Sequence, residues 1–339
     1  MSLEIMPALT EEERKKKPWW IGIWRMGGHG DHMVSIATAR AFRKRFPDAG
    51  IIVFNRKIRA DTDFDIYRGT TPFIDKVCKL PLFPEVTGVV AFREQVDLFV
   101  DIQTYVGVLY ANKEDPQLLE MVRKNRDRIL PFTFLYSMPP FSYNTLHLRW
   151  PGNQWELLSY TLGIPVREDY LFLAQREDVE LPEAPYVCLH SGQGGRSRIK
   201  VPPSFLYIRT AAYLKKKGYR PVTVGSPRDD YIRGTEDRRT EDINETAAIV
   251  ANSSLVICPE GFMAYVARAV NTPALILFGP TPVSLFSFST HYSLSRGLCP
   301  PCWWHAPGWE KGCKKGLGYC ANFPSFHQIE KTLGEVLCG

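Results

Sequence analysis

Trp20-Ile21-Gly22-Ile23-Trp24-Arg25-Met26-Gly27-Gly28-His29-Gly30-Asp31 is a short apolar run that breaks into glycines and ends on a carboxylate. The apolar part reads as a buried strand over residues 20–25. The stretch after it, residues 31–46, reads as a helix with Met33, Ile36, Ala37, Phe42 and Phe46 on roughly one face. Strand, glycine turn and helix in that order form the opening unit of a parallel α/β sheet. Glycines let backbone approach a ligand closely, and the helix start offers free N–H groups with a partial positive charge. Asp31 therefore has two readings. It caps the helix by accepting backbone N–H groups, or it faces a ligand and acts as a general base. His29 and His32 read more simply as hydrogen-bonded structural residues.

The same pattern continues along the chain. Strands are expected at residues 51–54, 77–80 and 97–102, and helices at 116–128 and 154–162. Leu181-Pro182-Glu183-Ala184-Pro185 opposes regular structure and reads as a linker. The pattern then restarts with a strand at 186–190 and the turn Ser191-Gly192-Gln193-Gly194-Gly195. A helix over 203–217 follows, with Pro202 and Pro203 at its start and Gly218 at its end. Further strands are expected at 220–224, 255–258 and 274–278. A helix capped by Asp242 and Glu245 runs through 251, and others span 262–270 and 326–337. The pattern predicts two domains, one over 1–180 and one over 186–325. A final helix over 326–339 is expected to pack back on the first domain. In open α/β sheets ligands sit at the carboxyl ends of the strands, where both glycine turns fall.

Two further elements carry chemistry. Arg196, Arg198 and Lys200 follow the second glycine turn and suit a diphosphate, because charge-assisted bonds to phosphate are strong. They also fit a solvated basic loop. Cys258-Pro259-Glu260-Gly261-Phe262-Met263 ends a strand and starts a helix. Helix N–H groups there suit phosphate, and Glu260 suits ribose hydroxyls. Without a ligand, Glu260 would simply favour the positive end of the helix.

Composition narrows the classes. The 339 residues are 45% hydrophobic and 23% charged, as in soluble globular proteins. No apolar run approaches the ~18–20 residues that span a bilayer. The charged stretch Glu11 to Lys17 precedes a short aromatic strand rather than the apolar core of a secretion signal, so a cytoplasmic location is expected. The net charge of +6 suits anionic small molecules and is too dispersed for nucleic acid. Arg14 to Lys17, beside Trp19 and Trp20, would also suit a peripheral contact with an acidic membrane surface, or a solvated tail.

There are eight cysteines. Cys78, Cys188 and Cys258 read as buried small hydrophobes. Cys299, Cys302, Cys313 and Cys320 form C-x2-C-x10-C-x6-C, the donor set of a structural zinc or iron site, with His305 as a spare ligand. Four thiolates leave no open position, so this metal would not be catalytic. Unliganded thiols and disulfides are the alternatives.

The chain resembles glycosyltransferase family 9, the lipopolysaccharide heptosyltransferases. The matching segments are Gly30-Asp31-His32-Met33 through Phe46-Pro47, Asp97 to Gln103, Val187 to Gly192, Glu260-Gly261 through Asn271-Thr272-Pro273, and Phe278-Gly279-Pro280-Thr281. The resemblance implies an α/β protein with two facing Rossmann-like domains, acceptor-binding over 1–180 and nucleotide-sugar-binding over 186–325, the glycosyltransferase B-type fold. It implies inverting, metal-independent sugar transfer from a nucleoside-diphosphate donor to a bacterial surface glycan or lipid-linked acceptor, with no cofactor for catalysis. Asp31 takes the position of the general base. Gly28, Gly30, Ser191, Gly192, Arg196, Gly261 and Met263 fall to donor binding. Arg198, with Lys200 as a shifted candidate, takes the donor-phosphate position, and Asp229 is nearest to the ribose-contacting acid. The family's Asp-Thr-Gly motif reads Glu260-Gly261-Phe262 here. The resemblance also supports a cysteine cluster without naming its metal. A non-catalytic nucleotide-sugar-binding module and a nucleotide-sugar epimerase are the competing readings.

Overall fold

The computed structural model describes residues 9–25, 27–56, 65–80, 92–103, 105–131, 150–192, 198–303, 312–313 and 315–338. The chain forms two compact units, Met1–Pro139 with Gln154–Phe172, and Pro140–Asn153 with Leu173–Gly339. The division thus falls ahead of the 181–185 linker.

The first unit is built on a sheet ordered β3-β2-β1-β4-β5. Its strands are β1 (Trp20–Trp24), β2 (Gly50–Arg56), β3 (Lys76–Leu80), β4 (Leu98–Asp101) and β5 (Val108–Ala111). The first four run parallel and β5 runs antiparallel beside β4. Every residue of β1 is buried, which is why its sequence is continuously apolar rather than alternating. Helix α1 (Glu11–Lys15) starts from a capping box between Thr10 and Glu13. Helix α2 (His29–Arg45) follows β1 and lies against β1 and β2. Helices α3 (Pro116–Ile129) and α4 (Gln154–Leu162) gather over β5. Buried Asn125 ties them together: its amide bonds the Leu109 N–H and the carbonyls of Gly107 and Thr161 at 2.7–2.9 Å.

The aromatic half of the expected membrane contact is spent inside this unit. Trp20 is buried, and Trp19 packs edge-on against Phe46. Lys17 pairs with Asp75 at 3.3 Å and Arg14 bonds the Gln95 carbonyl, which leaves Lys15 and Lys16 exposed. Among the described residues no helix is long and apolar enough to cross a membrane.

The second unit carries a fully parallel sheet ordered β11-β10-β9-β6-β7-β8. Its strands are β6 (Tyr186–Leu189), β7 (Arg220–Gly225), β8 (Glu236–Arg239), β9 (Leu255–Pro259), β10 (Ala274–Leu277) and β11 (Tyr292–Leu294). Helices α5 (Ser204–Lys216), α6 (Ile243–Ala251), α7 (Phe262–Ala269), α8 (Val283–Phe286) and α9 (Phe326–Cys338) complete it. The Asp242 side chain accepts from Asn244 and Glu245 N–H groups to start α6. The Glu245 carboxylate meets Thr240 at 3.2 Å instead of closing a reciprocal box. The final helix, expected on the first domain, packs against α5. Its Ile329 and Leu333 join Leu206, Tyr207 and Leu214 over Val187, Leu189, Ile257 and Leu275. Cys188 and Cys258 are fully buried, as expected, while Cys78 is only half-buried. Burial pushes the Cys188 thiol up to about 12, which makes it inert.

Candidate functional site

In the first unit, Asp31 is at the third position of α2, and Gly28, not Asp31, is the residue that caps the helix. The Asp31 carboxylate folds back so that Oδ2 accepts from the Gly28 N–H at 2.8 Å. Oδ1 accepts from Arg25 Nε at 2.9 Å and from a terminal guanidinium nitrogen at 2.6 Å. Arg25 is 1% exposed and Asp31 27%. An unpaired charge at that depth costs several kcal/mol, so the cation needs partners on every side. It has them: its other terminal nitrogen donates to the Ile102 carbonyl, and its Cζ lies 4.0 Å from the centre of the Tyr105 ring. Gly30 lies within the first turn of α2. His32 is buried, with Nδ1 3.0 Å from the Tyr67 hydroxyl.

Asp101 ends β4 level with Trp24 of β1. Burial pushes its carboxyl up to about 6, against the pull of the Gln103 N–H at 3.0 Å and of Arg25. Sequence reasoning passed over both Arg25 and Asp101. A cation directly before a glycine turn, at the end of an all-apolar strand, is the signal that could have found the first.

In the second unit, three strand ends lie side by side: His190 and Ser191 after β6, Asp229 after β7, and Glu260 after β9. Gly192 has φ +74°, and a Cβ there would strike Pro259, so the turn after β6 lies this close to the end of β9 only because residue 192 has no side chain. The Ser191 hydroxyl is turned inward and donates to the Asp230 carbonyl at 2.8 Å. Asp229 accepts from the Ser226 N–H at 2.8 Å and faces His190 Nε2 at 3.2 Å. The expected ribose acid is therefore engaged by protein, and His190 is a neighbour the sequence did not single out.

Lys200 ends a 3-10 turn, Arg198–Lys200. Its ammonium is ion-paired with Glu260 and stands 4.4 Å from the Trp303 ring centre. Arg196 and the side chain of Arg198 lie outside the described residues. Gly261 starts α7. Met263, expected at the donor, has its side chain buried in the core, so only its backbone is available to a ligand.

The four cysteines lie in one region of the second unit. Cys320 is buried, and its thiol is pushed up to about 12 by burial, with Cys302, Cys299 and Cys313 each adding to the rise. Asn322 knits the loop by bonding the Cys299 N–H at 3.0 Å, carbonyl at 2.7 Å and thiol at 3.3 Å. The donor chemistry suits zinc or iron. Among the described residues, however, no three His, Cys, Asp or Glu groups stand together as a ligand set, so metal binding would have to draw these thiols inward. His305 lies outside the described residues.

No family model matches the chain, and no curated protein does. Solved structures do. A glycosyl transferase family 9 structure from Veillonella parvula is 13% identical, covers 95% of this chain and 98% of its own, and gives a TM-score of 0.64. The dodecameric iron-containing heptosyltransferase TibC, solved with ADP-D-β-D-heptose, is 16% identical over 95% of this chain and 77% of its own, with a TM-score of 0.59. The ADP-heptose lps heptosyltransferase II of E. coli is 14% identical over 94% and 98%, with a TM-score of 0.57. At such identities the likeness establishes architecture: the chain has the two-unit parallel α/β fold of the B-type glycosyltransferases.

Proposed function

We infer that the chain is a glycosyltransferase of the heptosyltransferase type, taking a sugar from a nucleoside-diphosphate donor to a bacterial surface glycan or lipid-linked acceptor. The observation that carries the reading is the Asp31 carboxylate, held at the carboxyl end of β1 with Oδ2 accepting a single N–H. Asp31 takes the proton of an acceptor hydroxyl as that oxygen bonds to the anomeric carbon. The bond from that carbon to the diphosphate breaks, and its electron pair leaves with the phosphate. One displacement from the opposite face inverts the anomeric centre and needs no metal. Lys200 offsets the charge that develops on the leaving group. The solved neighbour bound to ADP-D-β-D-heptose favours an adenine nucleotide as donor. Asp31→Ala should lose at least ~10²-fold in transfer, the lower end for a general base, while still binding ADP. Near-normal turnover would remove the assignment.

The thiols of Cys299, Cys302, Cys313 and Cys320 are read as holding a structural zinc or iron ion that braces their loop. The iron-containing neighbour and the chemistry of the donor set support this. Elemental analysis of purified protein tests it: roughly one equivalent is the expectation for a four-thiolate site, and less than about a tenth of that would remove it.

A further inference from the structure

Asp31 is held more tightly than a helix-start carboxylate needs to be. One backbone N–H would satisfy the helix, and Gly28 supplies it. The two bonds from Arg25 are additional, and both go to Oδ1. A carboxylate oxygen has two lone pairs, so Oδ1 is filled, while Oδ2 accepts one bond and keeps one lone pair. Arg25 itself cannot swing away, since the Ile102 carbonyl and the Tyr105 ring fix the rest of its guanidinium. The other side of the carboxylate is bounded by Gly27. Its φ is +147°, and a Cβ there would fall on the Asp31 carboxylate. Gly27 therefore meets two requirements at once, a backbone shape that L side chains rarely adopt and empty space for the carboxylate.

We propose that Arg25 is the positioning residue of the transfer site, and that with Gly27 it fixes Asp31 in the one orientation where Oδ2 receives the acceptor proton. This rests on Asp31 being the base. Arg25 touches neither substrate. Its contribution is to remove the rotation of the carboxylate, and a displacement of about 1 Å at such a group costs on the order of 10²-fold in rate.

The test uses the full chain with Asp31→Asn, Arg25→Met, Arg25→Lys and Gly27→Ala, measuring kcat, both KM values and ADP binding. Arg25→Met should lose on the order of 10²-fold in kcat with KM values and ADP affinity within about twofold. Arg25→Lys, which keeps a cation but not the two-pronged hold, should recover part of that loss. Gly27→Ala should match Arg25→Met in the same parameter. Because Arg25 is buried, its Met variant could fail to fold; Gly27 lies in a turn, and its Ala variant then decides the matter alone. Folded Arg25→Met or Gly27→Ala protein with kcat within twofold of the parent would overturn the proposal, as would losses confined to KM. If Asp31→Asn itself keeps turnover, the assignment of the base fails and the positioning role falls with it.

Discussion

Lys200 and Glu260 are ion-paired to each other, the lysine 19% and the glutamate 10% exposed, with the ammonium over the Trp303 ring. The cation proposed for the leaving diphosphate is thus neutralised by the carboxylate proposed for the donor ribose. An arriving diphosphate must compete with Glu260 or share the lysine with it. Glu260→Gln should therefore bind ADP more tightly than the parent. Lys200→Ala should bind it about tenfold or more weakly, the range of a charge-assisted hydrogen bond. Calorimetric titration checks both, and unchanged affinity in the lysine variant would take Lys200 out of the donor site.

The same pair predicts a coupling in stability. Removing Lys200 leaves a largely buried carboxylate without its cation, at a cost of about 1–3 kcal/mol. Lys200→Ala combined with Glu260→Ala should recover much of this, because no charge is then left behind. Urea unfolding of the two single variants and the double variant measures the coupling, and strict additivity would contradict it.

Asp101 makes stability depend on pH in the direction opposite to most acidic residues. Its folded carboxyl is pushed from 3.8 up to about 6, so the folded state holds the proton more firmly than the unfolded chain. The stability it contributes is complete below about pH 4 and is lost as pH rises through about 6, amounting to roughly 3 kcal/mol at most. Arg25, Tyr110 beyond it and Arg93 near that tyrosine are the charged or titratable groups around it. Asp101→Asn should flatten this part of the stability curve while keeping the Gln103 N–H bond. A parent protein equally stable at pH 4 and pH 7, with an unchanged Asn variant, would contradict the assignment.

Asn322 should hold the cysteine loop whether or not it carries metal. It bonds three atoms of Cys299, and its own carbonyl accepts from the Arg296 N–H at 2.8 Å. Asn322→Ala should cost about 1–3 kcal/mol. It should also speed the reaction of Cys299 with a thiol reagent far more than that of buried Cys320, which peptide mapping after timed labelling would reveal.

The alternating skeleton was legible because buried parallel strands are continuously apolar and glycine turns punctuate them. Three strands escaped for separate reasons. In β8, Glu236-Asp237-Arg238-Arg239 contains no apolar residue and so has no strand signature. β11 has three residues, and β5 is a short antiparallel return with no helix before it. At the site, Asp31, Lys200 and Glu260 were named from local pattern. That Lys200 pairs with Glu260, or Asp229 with His190, is a tertiary fact carried by residues tens of positions apart. Arg25 went unnoticed because its role comes from its depth and from Ile102 and Tyr105, which nothing adjacent in the chain announces. The side chain of Met263 is buried, which its place at a helix start did not announce.

The charge of β8 bears on how the protein behaves among its own copies. This strand closes one side of the second sheet, with Glu236 bonded to Arg238 and Arg220, and Asp237 to Arg239. A strand from another molecule trying to extend the sheet there would have to desolvate these paired charges. It would gain only the backbone bonds that water already satisfies. The border acts as a bumper against edge-to-edge aggregation, keeping a six-stranded parallel sheet from growing at that side in a crowded cell.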